Sequence, residues 1–253
     1  MAEGAHAARF SLAGRRALVT GAGRGLGLAI ATAMAEAGAA VILNGRDDAR
    51  LEAAAAPLRE AGHEVSTAPF DVTNEGAIEA FAATAPAPDI LVNNATLRDR
   101  RPTPDLPASA VAELVAVNAT AAYALSRALM PGLSEGGSII NITSIAGPRA
   151  RAGDPGYTMA KGALEALTRS HAVEFGAAGV RVNAIAPGFM ATEANAGFLD
   201  DPAIGAFLES RAALPRWGQP AEVAGAAVFL ASPAASYVTG HVLVVDGGLS
   251  VRM

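Results

Sequence analysis

The sequence predicts an α/β fold built on a doubly wound, parallel, seven-stranded sheet with helices on both faces. Three observations predict it. From Arg15 onward, short runs apolar on both faces alternate with longer Ala- and Leu-rich stretches, the pattern of strands buried between two helical layers. A glycine-rich turn follows the first apolar run and opens the first helical stretch. No low-complexity linker or internal repeat breaks the alternation, so residues 11–253 read as one domain behind a flexible N-terminal tail of residues 1–10.

Taken in order, Arg16 to Thr20 is the first strand and Leu26 to Ala37 the first helix, closed by Gly38. Ala40 to Leu43 is the second strand, followed by a helix from Asp47 to Ala61. Val65 to Pro69 and Ile90 to Asn93 are the third and fourth strands, separated by the helical stretch Glu75 to Thr84. Ser138 to Thr143, Val180 to Ala186 and Val242 to Val245 complete the seven. Right-handed crossovers between parallel strands then wind the sheet both ways from its middle. The stretch Thr192 to Gly218, with Asp200-Asp201-Pro202 inside it, departs from this rhythm just past a strand's carboxyl end. That is where a substrate lid is expected.

Composition removes several function classes. A chain of 253 residues, 51% hydrophobic and 17% charged, buries a substantial core and lacks the profile of a disordered protein. Its formal charge of −5 and scattered arginines present no nucleic-acid-binding face. Cysteine is absent, which excludes a disulfide framework and a thiolate metal site. The four histidines, His6, His63, His171 and His241, have no ligand-like spacing, so no metal site is expected. Met1 to Phe10 lacks the apolar core of a signal peptide. No run approaches the roughly 20 uninterrupted apolar residues of a membrane span. A cytoplasmic protein without a membrane partner is the expectation.

The turn Thr20-Gly21-Ala22-Gly23-Arg24-Gly25-Leu26-Gly27 carries the first chemical signal. Glycines let a backbone turn tightly and approach a pyrophosphate, whose charge is favoured at a helix N-terminus. Asn93-Asn94-Ala95, Asn118, Ser144, Tyr157-Thr158-Met159-Ala160-Lys161 and Pro187-Gly188 follow in order, most of them just beyond a predicted strand. From Leu12 to Gly248 this set resembles the short-chain dehydrogenase/reductase family, which implies a Rossmann-type sheet and an NAD(P)-dependent oxidoreductase interconverting a secondary alcohol and a ketone. Thr96 departs from the family's pattern, which usually has Gly there, and is expected to tighten the turn beside the adenosine half of the cofactor.

Tyr157 and Lys161 are four apart in a helical stretch and share one face. A free tyrosine has a pKa of about 10, too high for a base near neutrality. A cation about 4 Å away at an effective dielectric of about 20 contributes ~4 kcal/mol, roughly three pK units. Lys161, helped by the positive nicotinamide ring, is therefore expected to bring Tyr157 toward neutral pH. The resemblance further implies that Lys161 holds the nicotinamide ribose, that Ser144 bonds the reacting oxygen, and that Asn118 positions a relay water. It places Gly21, Arg24, Gly25, Leu26, Gly27, Asn93 and Ala95 along the cofactor. Pro187, Gly188, Phe189 and Thr192 fall around the carboxamide and pyrophosphate, and Asp71 with Val72 beside the adenine, Asp71 serving equally as a helix cap.

The cofactor is expected to be NADP rather than NAD. Folds of this kind that prefer NAD end the second strand on an acidic residue that binds the ribose, and here that position is Asn44. Arg46 and Arg24 supply guanidinium groups for a 2′-phosphate. Asp47-Asp48 are expected to begin the following helix, where its dipole favours them.

Within the family, the C-terminal third is similar to the gluconate 5-dehydrogenase group, through Thr192-Glu193-Ala194-Asn195, Asp201-Pro202, Arg211 and Arg216-Trp217-Gly218. The substrate implied is a sugar acid or polyol, with Arg101 of the Arg98, Arg100, Arg101 segment receiving a carboxylate; the alternative is a solvated basic loop. A 3-oxoacyl-carrier-protein reductase would carry the same glycine loop and Tyr/Lys pair. A non-catalytic NADP-binding regulatory module is disfavoured because Ser144, Tyr157 and Lys161 are all present. Family resemblance also implies a homotetramer joined through Ala108 to Leu129 and Tyr157 to Glu174.

Overall fold

The computed structural model describes residues 8–133, 136–150 and 152–252. Seven strands, β1 (Arg16–Val19), β2 (Ala40–Gly45), β3 (Val65–Pro69), β4 (Ile90–Asn93), β5 (Ser138–Ile142), β6 (Arg181–Pro187) and β7 (Val242–Val245), form one parallel sheet. Their order is β3-β2-β1-β4-β5-β6-β7. The order reverses between β1 and β4, and such switch points open a crevice at the carboxyl ends of the strands. The doubly wound sheet predicted from the sequence is therefore the one observed.

Strand residues alternate between two apolar layers. Ala17, Val19, Val41, Leu43 and Val92 point to one side, where α1 (Gly25–Glu36) and α8 (Pro220–Ala231) supply Ile30, Met34, Ala227 and Leu230. Leu18, Ile42, Leu91 and Ile139 point to the other, against Ile78 of α3 (Glu75–Thr84), Leu125 of α5 (Ala121–Leu129) and Phe175 of α6 (Pro155–Phe175). Each fully buried Leu or Ile contributes roughly 1.5–3 kcal/mol relative to exposure. Arg181 is a charged residue buried in β6, and its guanidinium reaches the carbonyls of Leu230, Ala231 and Ser232 at the end of α8.

The helix α2 (Asp48–Glu60) starts where the acidic pair was expected to start it, with Asp47 accepting from the Arg50 amide and Asp48 in the first turn. Between α4 (Ala108–Val115) and α5, residues Ala116–Thr120 widen into a π-turn that carries Asn118. Together α4, the π-turn, α5 and the turn that follows make a stretch, Ala108–Gly132, long and apolar enough by composition to cross a membrane. Glu113, Asn118 and Arg127 interrupt it, and Leu114, Leu125 and Leu129 are buried against the sheet or α6.

The expected tail lies outside the described residues as far as Ala7. Ala8 to Phe10 are helical, and the Phe10 ring lies 6.4 Å from that of Phe229. Past β6 the chain leaves the sheet at Met190 and returns at Gly218, where the two residues form an isolated bridge. The excursion holds a 3-10 segment, Glu193–Phe198, and α7 (Pro202–Arg211).

Candidate active site

A cleft of about 660 Å³ opens at the carboxyl ends of β1, β4, β5 and β6, at the switch point. Its floor begins with the glycine loop. Gly21 and Gly25 have φ of 63° and 58°, which β-carbon-bearing residues rarely adopt. At Gly27 an added Cβ would lie 2.4 Å from both the Asn94 Nδ2 and the Gly21 carbonyl oxygen, so only glycine fits. The Asn94 amide donates to the carbonyls of Thr20 and Gly21 at 2.8 and 3.3 Å. The Thr20 hydroxyl accepts from the amides of Asn94 and Ala95 at 2.9 and 3.0 Å. The loop is thus stitched to the end of β4. Asn94 was not among the expected site residues, though it stands inside the Asn93-Asn94-Ala95 motif.

Helix α1 begins on this loop without a side-chain cap at Arg24 and with no acidic residue in its first turn. Its amides and dipole are left to an anion, as a dinucleotide pyrophosphate requires. Arg24, Gly25 and Leu26 line the cleft there, with Thr192 opposite.

Ser144, Tyr157, Lys161, Pro187 and Gly188 line the same cleft at its other end. Pro155 opens α6 and puts Tyr157 in its first turn, with Lys161 one turn on. Both are buried. The Lys161 ammonium donates to the Ile142 carbonyl at 2.8 Å. Its burial, reinforced by the Arg98 charge, pushes it down to about 7. Burial pushes the Tyr157 phenol up, opposed first by the Arg98 guanidinium and then by the Thr96 and Ser144 hydroxyls. The cation that most opposes this rise is Arg98, 4.6 Å from the ring centroid. Lys161 lies 5.6 Å from the same centroid with its donor directed at a carbonyl. Arg98 is held in turn by Asp154, whose carboxylate is fully buried and takes both guanidinium donors.

Behind the cleft, Val72, Asn93, Ala95 and Asn118 surround a small pocket with Thr20. Asn93 donates to Asn141 at 2.8 Å. Asn118 donates to the carbonyls of Leu97 and Leu114 and accepts from the Thr96 hydroxyl at 2.6 Å. Thr96 therefore faces the catalytic end of the cleft, and its expected place beside the adenosine is corrected.

Four further expectations are corrected. Arg101 folds back on Asp99, which takes its Nε at 2.9 Å; the cleft is lined instead by Arg98 and Arg100. Arg100 reaches across to the lid segment, donating to Asn195 at 3.3 Å and lying 4.3 Å from the Phe198 ring centroid. Asn44 is fully buried and donates to the carbonyls of Ala68 and Phe70, so the end of β3 holds it away from the cleft. The Phe189 ring turns from the cleft to pack on Phe207 and Trp217 at 5.7 and 5.4 Å. Asp71 does not cap α3, because Asn74 does; Asp71 accepts from the amide and hydroxyl of Thr73 instead. Arg46 is largely exposed, with only a 3.9 Å pairing to Asp71.

Comparison with known proteins gives this arrangement a context. A family model described as enoyl-(acyl carrier protein) reductase matches residues 21–250. The chain is 40% identical over 256 residues to gluconate 5-dehydrogenase of Gluconobacter oxydans, covering 98% of this chain and 99% of that one. It is 38% identical over 250 residues to 5-keto-D-gluconate 5-reductase of Escherichia coli, covering 96% and 98%. A crystal structure of a gluconate 5-dehydrogenase from Burkholderia cenocepacia, in complex with NADP and tartrate, superposes with a TM-score of 0.92 at 38% identity, covering 98% of this chain and all of that one.

Proposed function

The chain belongs to the short-chain dehydrogenase/reductase family, and from that membership we propose that it interconverts a sugar acid's secondary alcohol and the corresponding ketone with NADP, as a gluconate 5-dehydrogenase-like enzyme. One observation carries the reading: a single cleft joins an uncapped, glycine-lined helix N-terminus to a buried tyrosine that lies beneath an arginine.

When bound, the nicotinamide supplies or accepts the hydride. The protein's residues do the rest. Tyr157 gives its phenolic proton to the ketone oxygen in reduction and takes it from the alcohol in oxidation. Ser144 donates to the same oxygen and orients it. Lys161, anchored on the Ile142 carbonyl, holds the nicotinamide ribose. Asn118 fixes the wall behind them through its amide. Gly21 to Gly27 with the α1 amides hold the pyrophosphate, Val72, Ala95 and Asn93 flank the adenosine half, and Arg24 with exposed Arg46 takes the 2′-phosphate. Buried Asn44 places no carboxylate against that phosphate.

Arg98 replaces Arg101 as the carboxylate receptor, because it lines the cleft beside Tyr157 with its geometry fixed by Asp154. A guanidinium held in this way suits two parallel bonds to a carboxylate. Arg98→Ala is therefore expected to raise KM for D-gluconate at least tenfold while changing KM for a neutral polyol less than threefold. Equal effects on both substrates would return Arg98 to a purely structural role.

Residues 192–218 act as the lid over this cleft, with the Met190–Gly218 bridge as its neck and Arg100 as its contact with the opposite wall. Residues 11–253 fold as one domain around it. Exposed Tyr123 on α5, with Met159 and Val173 on α6, supports assembly into a homotetramer through those helices. Dependence on a diffusible nicotinamide cofactor supports a cytoplasmic location.

A further inference from the structure

Thr96 carries a hydroxyl that the proton-transfer scheme above does not use. Its setting is defined by Asn118. The Asn118 Nδ2 lies 2.8 Å from two carbonyl oxygens, those of Leu97 and Leu114. Carbonyls only accept, so this fixes which end of the amide is nitrogen. The Oδ1 end then faces the Thr96 hydroxyl at 2.6 Å, and an amide oxygen only accepts, so the threonine's one proton points to it. The same threonine borders the cleft beside Tyr157 and Ser144. That proton is held by a neutral amide oxygen, and a Tyr157 phenoxide would be a second acceptor for it, since the Thr96 hydroxyl is among the groups that draw the phenol down. Hydrogen bonds to an ionised acceptor are roughly twice as strong as those between neutral groups. Turning the proton from one to the other requires only rotation about the C–O bond.

We propose that Thr96 is a positioning residue for the Tyr157 phenol, its hydroxyl handing its hydrogen bond from Asn118 to the phenoxide when Tyr157 gives up its proton. No covalent bond changes at Thr96, and the Tyr157 proton still goes to the reacting oxygen. The inference rests on the acid–base role proposed for Tyr157. It agrees with the electrostatics of the site, where burial raises the phenol and Arg98, then the Thr96 and Ser144 hydroxyls, draw it back down.

The test is the pH dependence of kcat for gluconate oxidation in the wild type, Thr96→Val and Thr96→Ser, with NADP affinity and Tyr157→Phe measured alongside. Thr96 is an exposed residue, so both variants are expected to fold. Valine keeps the shape and removes the hydroxyl; it is expected to move the rising limb of kcat upward by about half a pH unit to one unit. Below that limb kcat falls about three- to tenfold, and NADP affinity stays within twofold. Serine restores the hydroxyl and returns the profile to that of the wild type. A Thr96→Val profile that superposes on the wild type or moves downward overturns the proposal, as does a serine variant that behaves like valine. Should Tyr157→Phe keep its turnover, the acid–base reading itself fails; a dead Tyr157→Phe with an unmoved Thr96→Val profile removes only the role of Thr96.

Discussion

The two walls of the cleft are held in opposite ways. The glycine loop after β1 is shaped by backbone: left-handed glycines, a Gly27 that admits no β-carbon, and amide bonds from Asn94. The segment from Thr96 to Arg101 after β4 is shaped by side chains, each fixed by a partner of its own. Thr96 is tied to Asn118, Arg98 to Asp154, Arg100 to Asn195 and Phe198, and Arg101 to Asp99. A backbone-made wall recognises what all dinucleotides share, whereas a side-chain-made wall can be changed residue by residue to suit one substrate. The difference predicts that single changes in the first wall are severe and general, and that those in the second are selective.

Gly27→Ala is the harshest way to break this contrast. Its new β-carbon meets the Gly21 carbonyl and the Asn94 amide, and overpacking of this kind costs typically 1–3 kcal/mol. NADP affinity is expected to fall between about fivefold and a hundredfold in a fluorescence titration, whatever the substrate. Near-normal affinity would mean that the loop is not backbone-limited.

This contrast also explains what was legible in the sequence. Gly21, Gly25 and Gly27 could be read in advance because glycine itself announces an unusual backbone, and their neighbours in sequence complete the motif. The side-chain wall could not be read so well. Choosing among Arg98, Arg100 and Arg101 depends on which has a carboxylate nearby, and Asp154 is 56 residues from Arg98. Asn44 was correctly placed at the end of β2, yet its amide turned to the carbonyls of Ala68 and Phe70 because a buried amide needs partners. Phe189 follows the same rule for rings, finding Phe207 and Trp217 in a segment whose path no strand–helix pattern predicts. The strand positions, by contrast, followed from apolar periodicity, and the double winding from the right-handed crossover rule.

Lys161, on the floor between the walls, sharpens the contrast by showing what a functional charge costs. Its folded pKa is depressed from 10.5 to about 7, so between those values the unfolded chain binds the proton and the folded chain does not. Stability then rises with pH across that window, and the penalty is complete below it. Each unit corresponds to about 1.4 kcal/mol, and each kcal/mol to about 2–4 °C in a chain of this size. Against the lost bond to Ile142, Lys161→Met is expected to melt on the order of 5 °C higher at pH 6, with the gain gone near pH 10.5 and turnover abolished. A variant that melts lower at pH 6 would show that the buried ammonium stabilises the fold.

The smallest expected effect belongs to Arg101→Ala. Its salt bridge to Asp99 is exposed and local in sequence, and such pairs contribute about 0–1 kcal/mol. KM for gluconate is expected to change less than twofold, in contrast with Arg98→Ala. A tenfold change would restore Arg101 to the substrate wall.

The most direct test of the whole account is kcat/KM for gluconate with NADP in Tyr157→Phe beside the wild type, with the NADP dissociation constant measured in both. Phenylalanine keeps the ring under Arg98 and removes only the transferable proton. The expected result is a loss of at least a hundredfold, with cofactor affinity within about threefold of the wild type. A variant retaining more than half the wild-type kcat/KM would contradict the assignment of Tyr157 as the residue that moves the proton.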